Sequence, residues 1–171
     1  MSEIYVCVTI NIAEKYRDCI NTYRFSRYGE KVNPSEQIHT LNIDNMLEEK
    51  EMCKQWSNID TNFGKMEAQN FISFNWNSPN KLIGYYENGV LVGVASYIFS
   101  AEADIALLDN VYIVPELRNK RLVLKLVKST ISMYPEKTWL YQAGVKNEAS
   151  INLALLAGFM LVGAELLIIE C

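Results

Sequence analysis

The sequence has little of the residue types that bind metals or carry thiol chemistry. Among its 171 residues there is one histidine, His39, and there are four scattered cysteines, Cys7, Cys19, Cys53 and Cys171. Because no two cysteines form a CxxC pair, a zinc knuckle and a redox dithiol are not supported, and a single histidine nearly excludes a His-rich metal site. We therefore expect no bound metal, an ordinary exposed or edge-strand position for His39, and reduced thiols in the cytoplasm.

Long apolar runs and an excess of positive charge are also absent. The hydrophobic stretch at residues 1–12 is interrupted by Thr9 and Asn11, so neither a membrane span nor an export signal is expected. The net charge of −4 argues against a protein that binds nucleic acid by electrostatics. Half of the residues are hydrophobic and 21% are charged, which predicts one folded, soluble domain over residues 1–171.

The amino-terminal part, residues 1–80, predicts one strand and two helices. Residues 4–12 are rich in β-branched types and read as a strand. An Asn11–Glu14 cap pair predicts a helix through Tyr23, and a second such pair at Asn45 and Glu48 predicts a helix to about Ser57. A short strand is expected near residues 38–43, and only one short helix or strand within residues 58–80. We expect the two helices to cover one edge of a cleft.

The second part, residues 81–171, has much clearer signals. The Asn88-Gly89 pair between two apolar runs predicts a β-hairpin with a type I′ turn. Further strands and helices are predicted, in chain order, as a strand at 104–114, a helix at 118–133, a strand at 139–145, a helix at 148–157 and a strand at 159–170. This order predicts an α/β fold with a mixed central sheet flanked by helices.

Two of these strands are expected to form the functional centre. The strands at 104–114 and 139–145 should lie side by side and parallel, and a bulge near Asn110–Tyr112 would splay them apart at their carboxyl ends. The turn that follows the first strand would present backbone N–H groups at a helix N-terminus, with Arg118, Lys120 and Arg121 adding positive charge. Such a turn suits a pyrophosphate, although the same residues could simply be the solvated face of an amphipathic helix.

Three segments in this order resemble the GCN5-related N-acetyltransferase (GNAT) superfamily. They are ENGVLVGVASY at Glu87–Tyr97, LDNVYIVPELRNKRLVLKLV at Leu108–Val127, and NEASINLALLAGF at Asn147–Phe159. Each segment alone is a weak signal, but their order and spacing, over about 80 residues, are fairly specific. The resemblance implies a GNAT-like acyl-CoA N-acyltransferase fold and acetyl-CoA as co-substrate.

The resemblance also implies roles for individual residues. It assigns the main chain around Val111, Tyr112 and Ile113 to the pantetheine arm of acetyl-CoA, and it puts Asn147 near the cofactor. It assigns the pyrophosphate to the turn Arg118, Asn119, Lys120, Arg121, Leu122 and Val123. Asp109 is the best candidate for the catalytic base, with Glu102 and Asp104 behind it, although a carboxylate on the solvent side of a strand is often only a surface residue.

The sequence departs from the family pattern at three positions. The family turn is Arg/Gln-x-x-Gly-x-Gly/Ala, but Arg121 and Val123 stand at its small positions, which glycine fills when the backbone must approach a ligand or adopt a positive φ. The tyrosine that often protonates the departing thiolate in this family is replaced by Ala154.

Two functions from different classes therefore stay open. The first is an N-acetyltransferase that moves acetyl from acetyl-CoA to a small-molecule or protein amine. The alternative is a GNAT-fold binding or structural module that no longer binds acetyl-CoA and acts through a protein partner. A homodimer is open under either function.

Overall fold

The computed structural model describes residues 3–31, 35–41, 59–61, 64–66, 81–101 and 103–169. An eight-stranded sheet runs through most of this part of the chain. Its strands are Glu3–Thr9 (β1), Ile20–Tyr28 (β2), Ile38–Thr40 (β3), Lys81–Glu87 (β6), Val90–Phe99 (β7), Ile105–Ile113 (β8), Thr138–Gly144 (β9) and Met160–Ile169 (β10). They are arranged in the order β1-β10-β2-β9-β8-β7-β6-β3. Of the pairs described, β8 with β9 is parallel and the others are antiparallel, which confirms a mixed sheet.

The hairpin of β6 and β7 forms as the sequence predicts. Asn88 and Gly89 have φ angles of 52° and 76°, the two positive values that a type I′ turn requires. β7 is buried from Leu91 to Tyr97, because it lies between β6 and β8 and under a helix. The hairpin thus provides the strand against which β8 is held.

The two helices of the second part begin and end close to the predicted residues, with one correction. The helix predicted from Arg118 begins instead at Leu122 and runs to Ser132 (α2), because Pro115–Lys120 form a 3₁₀ turn first. Glu148–Leu156 form the second helix (α3), which Gly158 closes with a φ of +86°. The strands β8, β9 and β10 confirm the remaining predictions for this half of the chain.

The first predicted helix is wrong. After β1, residues Ile10–Ala13 form one short helical turn (α1) and Glu14–Cys19 a 3₁₀ turn, and then the chain enters β2. Thr9, not Asn11, precedes the turn, and it makes no side-chain cap. The strand is favoured because β2 pairs with β10 on one edge and β9 on the other, which buries Phe25 and satisfies backbone groups on both sides.

The remaining amino-terminal predictions have mixed outcomes. The short strand expected near residues 38–43 is β3, which pairs with β6. Ile59–Thr61 (β4) and Gly64–Met66 (β5) form a separate two-stranded sheet, where only one element was expected. The helix predicted from Asn45 to Ser57 lies outside the described residues, as does most of 58–80. None of the helices in the described part of the chain is long and apolar enough to cross a lipid bilayer.

Both α2 and α3 pack on one face of the sheet and form the core with it. The buried side chains include Tyr97 from β7, Leu108 from β8, Trp139 from β9, and Leu126 and Ile131 from α2. We call this the helix face, and the opposite side of the sheet the far face. Because the core is continuous across β7, β8 and β9, it fixes where these strands separate.

Candidate functional site

β8 and β9 separate halfway along their length. Their parallel pairing runs from Ile105 with Thr138 to Leu108 with Tyr141 and goes no further, although β8 continues to Ile113. Over its last residues β8 stays paired with β7 alone. The carboxyl ends of the two strands are therefore open toward each other, which confirms the predicted splay.

The separation begins at a bulge in β8. Tyr97 pairs with Leu108 and Ser96 with Asn110, so Asp109 is the extra residue, one position before the predicted Asn110–Tyr112. The buried Ser96 hydroxyl accepts hydrogen bonds from the Asn110 main-chain N–H at 3.1 Å and from its side-chain amide at 3.3 Å. That amide also donates to the Asp109 carboxylate at 2.6 Å. The bulge is thus held by specific bonds and presents an exposed carboxylate at the splay.

The main chain of β8 beyond the bulge points alternately to β7 and to the opening. The Val114 N–H donates to the Val92 carbonyl at 2.9 Å, and Tyr112 is opposite Val94 two residues earlier. Because hydrogen-bonded pairs alternate in an antiparallel ladder, the N–H and C=O groups of Val111 and Ile113 face away from β7, toward the splay. They are the groups that the resemblance assigns to a pantetheine arm.

Arg118 lies across the end of β8. Its Nε donates to the Ile113 carbonyl oxygen at 3.1 Å, and its guanidinium carbon is 5.4 Å from the centre of the Tyr112 ring. Both contacts bring the first residue of the predicted pyrophosphate turn to the predicted pantetheine strand. The guanidinium therefore lies at the mouth of the opening.

The turn before α2 has the backbone conformation that glycine usually provides. Arg121 has φ 58° and ψ 17°, in the left-handed region, and its side chain is exposed. No side chain among the described residues caps the start of α2, so the first N–H groups of the helix face outward there. Val123 is half-buried and packs against the core. Asn119 and Lys120 belong to the preceding 3₁₀ turn.

Asn147 acts as the cap of α3. Its side-chain oxygen accepts a hydrogen bond from the Ser150 N–H at 3.1 Å. This bond gives Asn147 a structural role that needs no ligand. Ala154 in the same helix is buried and brings no hydroxyl group to the site. The structure therefore brings Asn147 to the carboxyl end of β9, on a helix whose neighbour is α2.

A tyrosine that is not among the predicted site residues lies at the point of separation. Tyr141 is the last residue of β9 paired with β8, and its hydroxyl is 2.6 Å from the Ser150 hydroxyl. Burial raises the pKa of Tyr141, an effect that the hydrogen bond with Ser150 partly opposes. The phenol therefore keeps its proton at neutral pH. Only the tertiary placement of α3 over β9 shows this pair, so the sequence carried no signal for it.

Asp104 and Glu102 are the two other candidates for the catalytic base, and neither is found at the opening among the described residues. Asp104 lies at the other end of β8, where its carboxylate pairs with Lys137 at 3.0 Å, so it is not part of the opening. Glu102 lies outside the described residues. Of the acids considered, Asp109 is the one the structure brings to the splay. It lies near the main-chain N–H groups of Val111 and Ile113, which face the opening and could bind a carbonyl oxygen as it becomes negative.

Comparisons with known proteins agree with this geometry. The sequence model of the Acetyltransferase (GNAT) family matches residues 45–159 of the chain. A GNAT acetyltransferase from Colwellia psychrerythraea has a similar structure, with a TM-score of 0.67 and 13% identity over 96% of this chain and 63% of that chain. This chain thus spans less than two thirds of that protein. No curated protein matches the sequence.

Two further solved structures share the fold. The ribosomal-protein-S18-alanine N-acetyltransferase from Escherichia coli has a TM-score of 0.53 and 15% identity, over 76% of this chain and 89% of that chain. AAC(6')-Iy, solved in complex with the bisubstrate analogue CoA-S-monomethyl-acetylneamine, has a TM-score of 0.50 and 12% identity, over 72% of this chain and 89% of that chain. At these identities the likeness concerns the fold alone.

Proposed function

The chain belongs to the Acetyltransferase (GNAT) family, as the resemblance in its sequence indicates, and we propose that it transfers an acetyl group from acetyl-CoA to an amine. One observation carries this proposal. The splay of β8 from β9 leaves the main-chain groups of Val111 and Ile113 facing an opening that ends at the start of α2. The amine would belong to a small molecule or a protein.

The residues around the opening fit a thioester with a long anionic arm. Extended main chain at Val111–Ile113 suits the amides of a pantetheine, which can pair with it like a short strand. The uncapped start of α2, with Arg118 and Arg121 beside it, suits a pyrophosphate. The left-handed backbone at Arg121 supports this assignment for the turn from Arg118 to Val123, because the turn keeps its shape without glycine. Asn147 would lie beside the pantetheine arm.

Asp109 is proposed as the catalytic base. It would take the proton that the amine loses when its nitrogen bonds to the carbonyl carbon, directly or through a water molecule. As the new C–N bond forms, the C–S bond breaks, and CoA leaves as a thiolate that takes a proton from water. A main-chain N–H at Val111 or Ile113 would stabilise the transient negative oxygen, an effect worth about 3–4 kcal/mol for one such donor.

The binding-module alternative is favoured by the departures of the sequence from the family pattern. Both small positions of the family turn carry larger residues, and Ala154 replaces the usual acid. Under this alternative the protein would retain the fold, bind a protein partner and not bind acetyl-CoA. Under either function we propose the cytoplasm as its compartment, from the free cysteines Cys7 and Cys19.

Calorimetric titration with acetyl-CoA separates the two functions. We expect micromolar binding by the unaltered chain, about −8 kcal/mol, and formation of free thiol when a panel of amines is added. A dissociation constant near or above about 1 mM, about −4 kcal/mol, would contradict the acetyltransferase. Arg118→Ala is expected to weaken binding, because it removes one cation from the mouth of the opening.

The matched control is Arg17→Ala. Arg17 is an exposed arginine in the 3₁₀ turn before β2, away from β8 and α2, so its loss should leave acetyl-CoA binding unchanged. Equal weakening by both variants would show a general charge effect, which salt would screen, and not a site at the start of α2.

A further inference from the structure

Arg24 is a half-buried cation on the far face of the sheet, and its guanidinium makes no hydrogen bond or ion pair with any residue that the structure describes. Other cations are engaged: Arg27 donates to the Ala157 carbonyl and pairs with Glu30, and Lys137 pairs with Asp104. A guanidinium that is partly removed from water gains from an anionic partner. The question is which anion the surroundings of Arg24 would accept.

Arg24 lines a cavity of about 270 Å³ with mainly apolar neighbours. Leu140, Val162 and Cys7 form much of its surface, and Thr9 adds a hydroxyl group. Among the described residues that line the cavity, Arg24 is the single charged one. This size suits a small ligand. Because one guanidinium with no second cation matches a monoanion held by two parallel hydrogen bonds, the cavity fits a carboxylate better than a phosphate.

The register of the sheet connects this cavity to the splay. Arg24 pairs with Gln142 of β9, so the two side chains share the far face, whereas their neighbours Phe25 and Tyr141 are buried on the helix face. Gln142 follows the last β9 residue paired with β8, as Asp109 follows the last β8 residue. Arg24, Gln142 and Asp109 therefore lie in one row across three adjacent strands.

Asp109 faces the same side of the sheet as this row. Asn110, whose amide donates to Asp109, pairs with Ser96, while the adjacent pair of Leu108 and Tyr97 belongs to the helix-face core. Glu165, which is paired with Thr22 two residues before Arg24, accepts a hydrogen bond from the Thr22 hydroxyl at 3.4 Å. Arg24 and Asp109 are thus a cation and a carboxylate that flank the opening from two strands apart.

We propose that Arg24 binds the carboxylate of the acceptor, and that the acceptor is a dipeptide-sized amine with a free carboxylate. This rests on the proposed acetyl transfer, in which Asp109 receives the amine proton. β2 and β8 are two strand spacings apart, about 10 Å, where both flank β9, and the splay increases this distance at Asp109. An extended dipeptide spans about 7 Å, and a hydrogen bond of about 3 Å at each end extends its reach to about 13 Å, which suits this wider gap. The exposed Gln142 amide can bond the peptide group between them.

The proposal is tested with two probes that differ only in the carboxylate: diglycine and its C-terminal amide. Titrating each into the full chain, with and without CoA, should give a dissociation constant at least 10-fold lower for diglycine. Arg24→Gln should abolish this preference, and Arg24→Lys should retain part of it. In Arg17→Gln, the matched control, the preference should persist, since Arg17 does not line the cavity.

A kinetic readout separates substrate binding from chemistry. For diglycine, Arg24→Gln should raise KM about 10-fold or more with kcat nearly unchanged, whereas the amide should show similar KM values in both proteins. Equal affinity of the unaltered chain for the two probes, or no binding of either, would overturn the proposal, as would preserved preference in Arg24→Gln. Failure to bind acetyl-CoA while diglycine preference persists would instead refute the proposed acetyl transfer and leave the carboxylate site standing.

Discussion

The two ends of the β8–β9 pair are built in opposite ways. At the amino-terminal end, Trp139 donates to the Tyr134 carbonyl at 3.3 Å, Tyr97 bonds Tyr134 at 3.1 Å, and these rings pack together with Phe99. At the carboxyl end the strands part after Leu108 and expose main chain. A parallel ladder this short would be weak alone, so the closed end holds the strands that the open end separates.

The largest effect is expected when the closed end is broken. Trp139→Ala removes a fully buried indole from the centre of the aromatic cluster and should lower the free energy of unfolding by about 3–5 kcal/mol. Urea unfolding followed by circular dichroism measures this. Tyr28→Ala is the control, because Tyr28 is 79% exposed and its loss should change stability by no more than about 0.5 kcal/mol. Equal effects of the two changes would mean that the cluster does not hold the strands.

At the open end the largest effect should be on rate and not on stability. Asp109→Asn keeps an oxygen for the Asn110 amide but removes the base, so kcat for acetyl transfer should fall about 10²- to 10⁴-fold with little change in folding. Asp104→Asn makes the same chemical change on an exposed carboxylate at the closed end and should leave kcat unchanged. A similar loss of rate in both variants would remove Asp109 from the mechanism.

Alkaline pH should lower the free energy of unfolding, because a buried tyrosine lies at each end of the β8–β9 pair. Burial raises the pKa of Tyr97 and of Tyr141, and the hydrogen bond with Tyr134 raises that of Tyr97 further. Above pH 10 the unfolded chain therefore loses protons that the folded chain retains. The contribution of these two phenols to the free energy of unfolding should be constant below that pH and should then fall, by at most about 1.4 kcal/mol per pH unit for each tyrosine.

Phenylalanine variants test this pH dependence. Tyr97→Phe and Tyr141→Phe should each make the alkaline slope of the unfolding free energy less steep, by at most one proton, as measured by urea unfolding between pH 8 and 11. Tyr28→Phe, an exposed tyrosine, should leave the slope as it is. An unchanged slope in both buried variants would contradict the assignment.

The parts of the fold that the sequence predicts are the parts held by local contacts. The β6–β7 hairpin depends on the two residues of its turn, and α3 on its own cap and closing glycine. The sequence wrongly predicts a helix over residues 20–23, the start of β2, because the strands that pair with β2, β9 and β10, are more than 100 residues away in the chain. A strand whose preference comes from such distant pairing carries only a weak local signal.

The same distinction between local and long-range contacts applies to the residues of the candidate site. The main-chain positions Val111 and Ile113 come from the resemblance to the GNAT superfamily, and the structure has the predicted bulge within one residue of its expected place. Arg24 and the Tyr141–Ser150 bond depend on which strands and helices become neighbours, so no spacing in the sequence indicates them. The sequence also does not predict the left-handed backbone conformation of Arg121, because glycine, the residue that usually indicates such a conformation, is absent there.

The smallest expected effect sharpens the contrast at that turn. An L-residue in the left-handed region costs about 1–2 kcal/mol of stability, which a glycine would not lose. Glycine in turn loses about 0.4–1 kcal/mol of stability, because it gives the unfolded chain more conformational freedom. Arg121→Gly should therefore raise the free energy of unfolding by roughly 0.5–1 kcal/mol. It should change acetyl-CoA binding less than Arg118→Ala does, since easier access to the N–H groups at the start of α2 offsets the loss of a cation. Lys128→Gly, on the exposed side of the same helix, should instead cost about 1 kcal/mol and leave binding unchanged. Urea unfolding and calorimetry of the two variants measure both quantities, and a loss of stability in Arg121→Gly equal to that in Lys128→Gly would show that Arg121 is not strained.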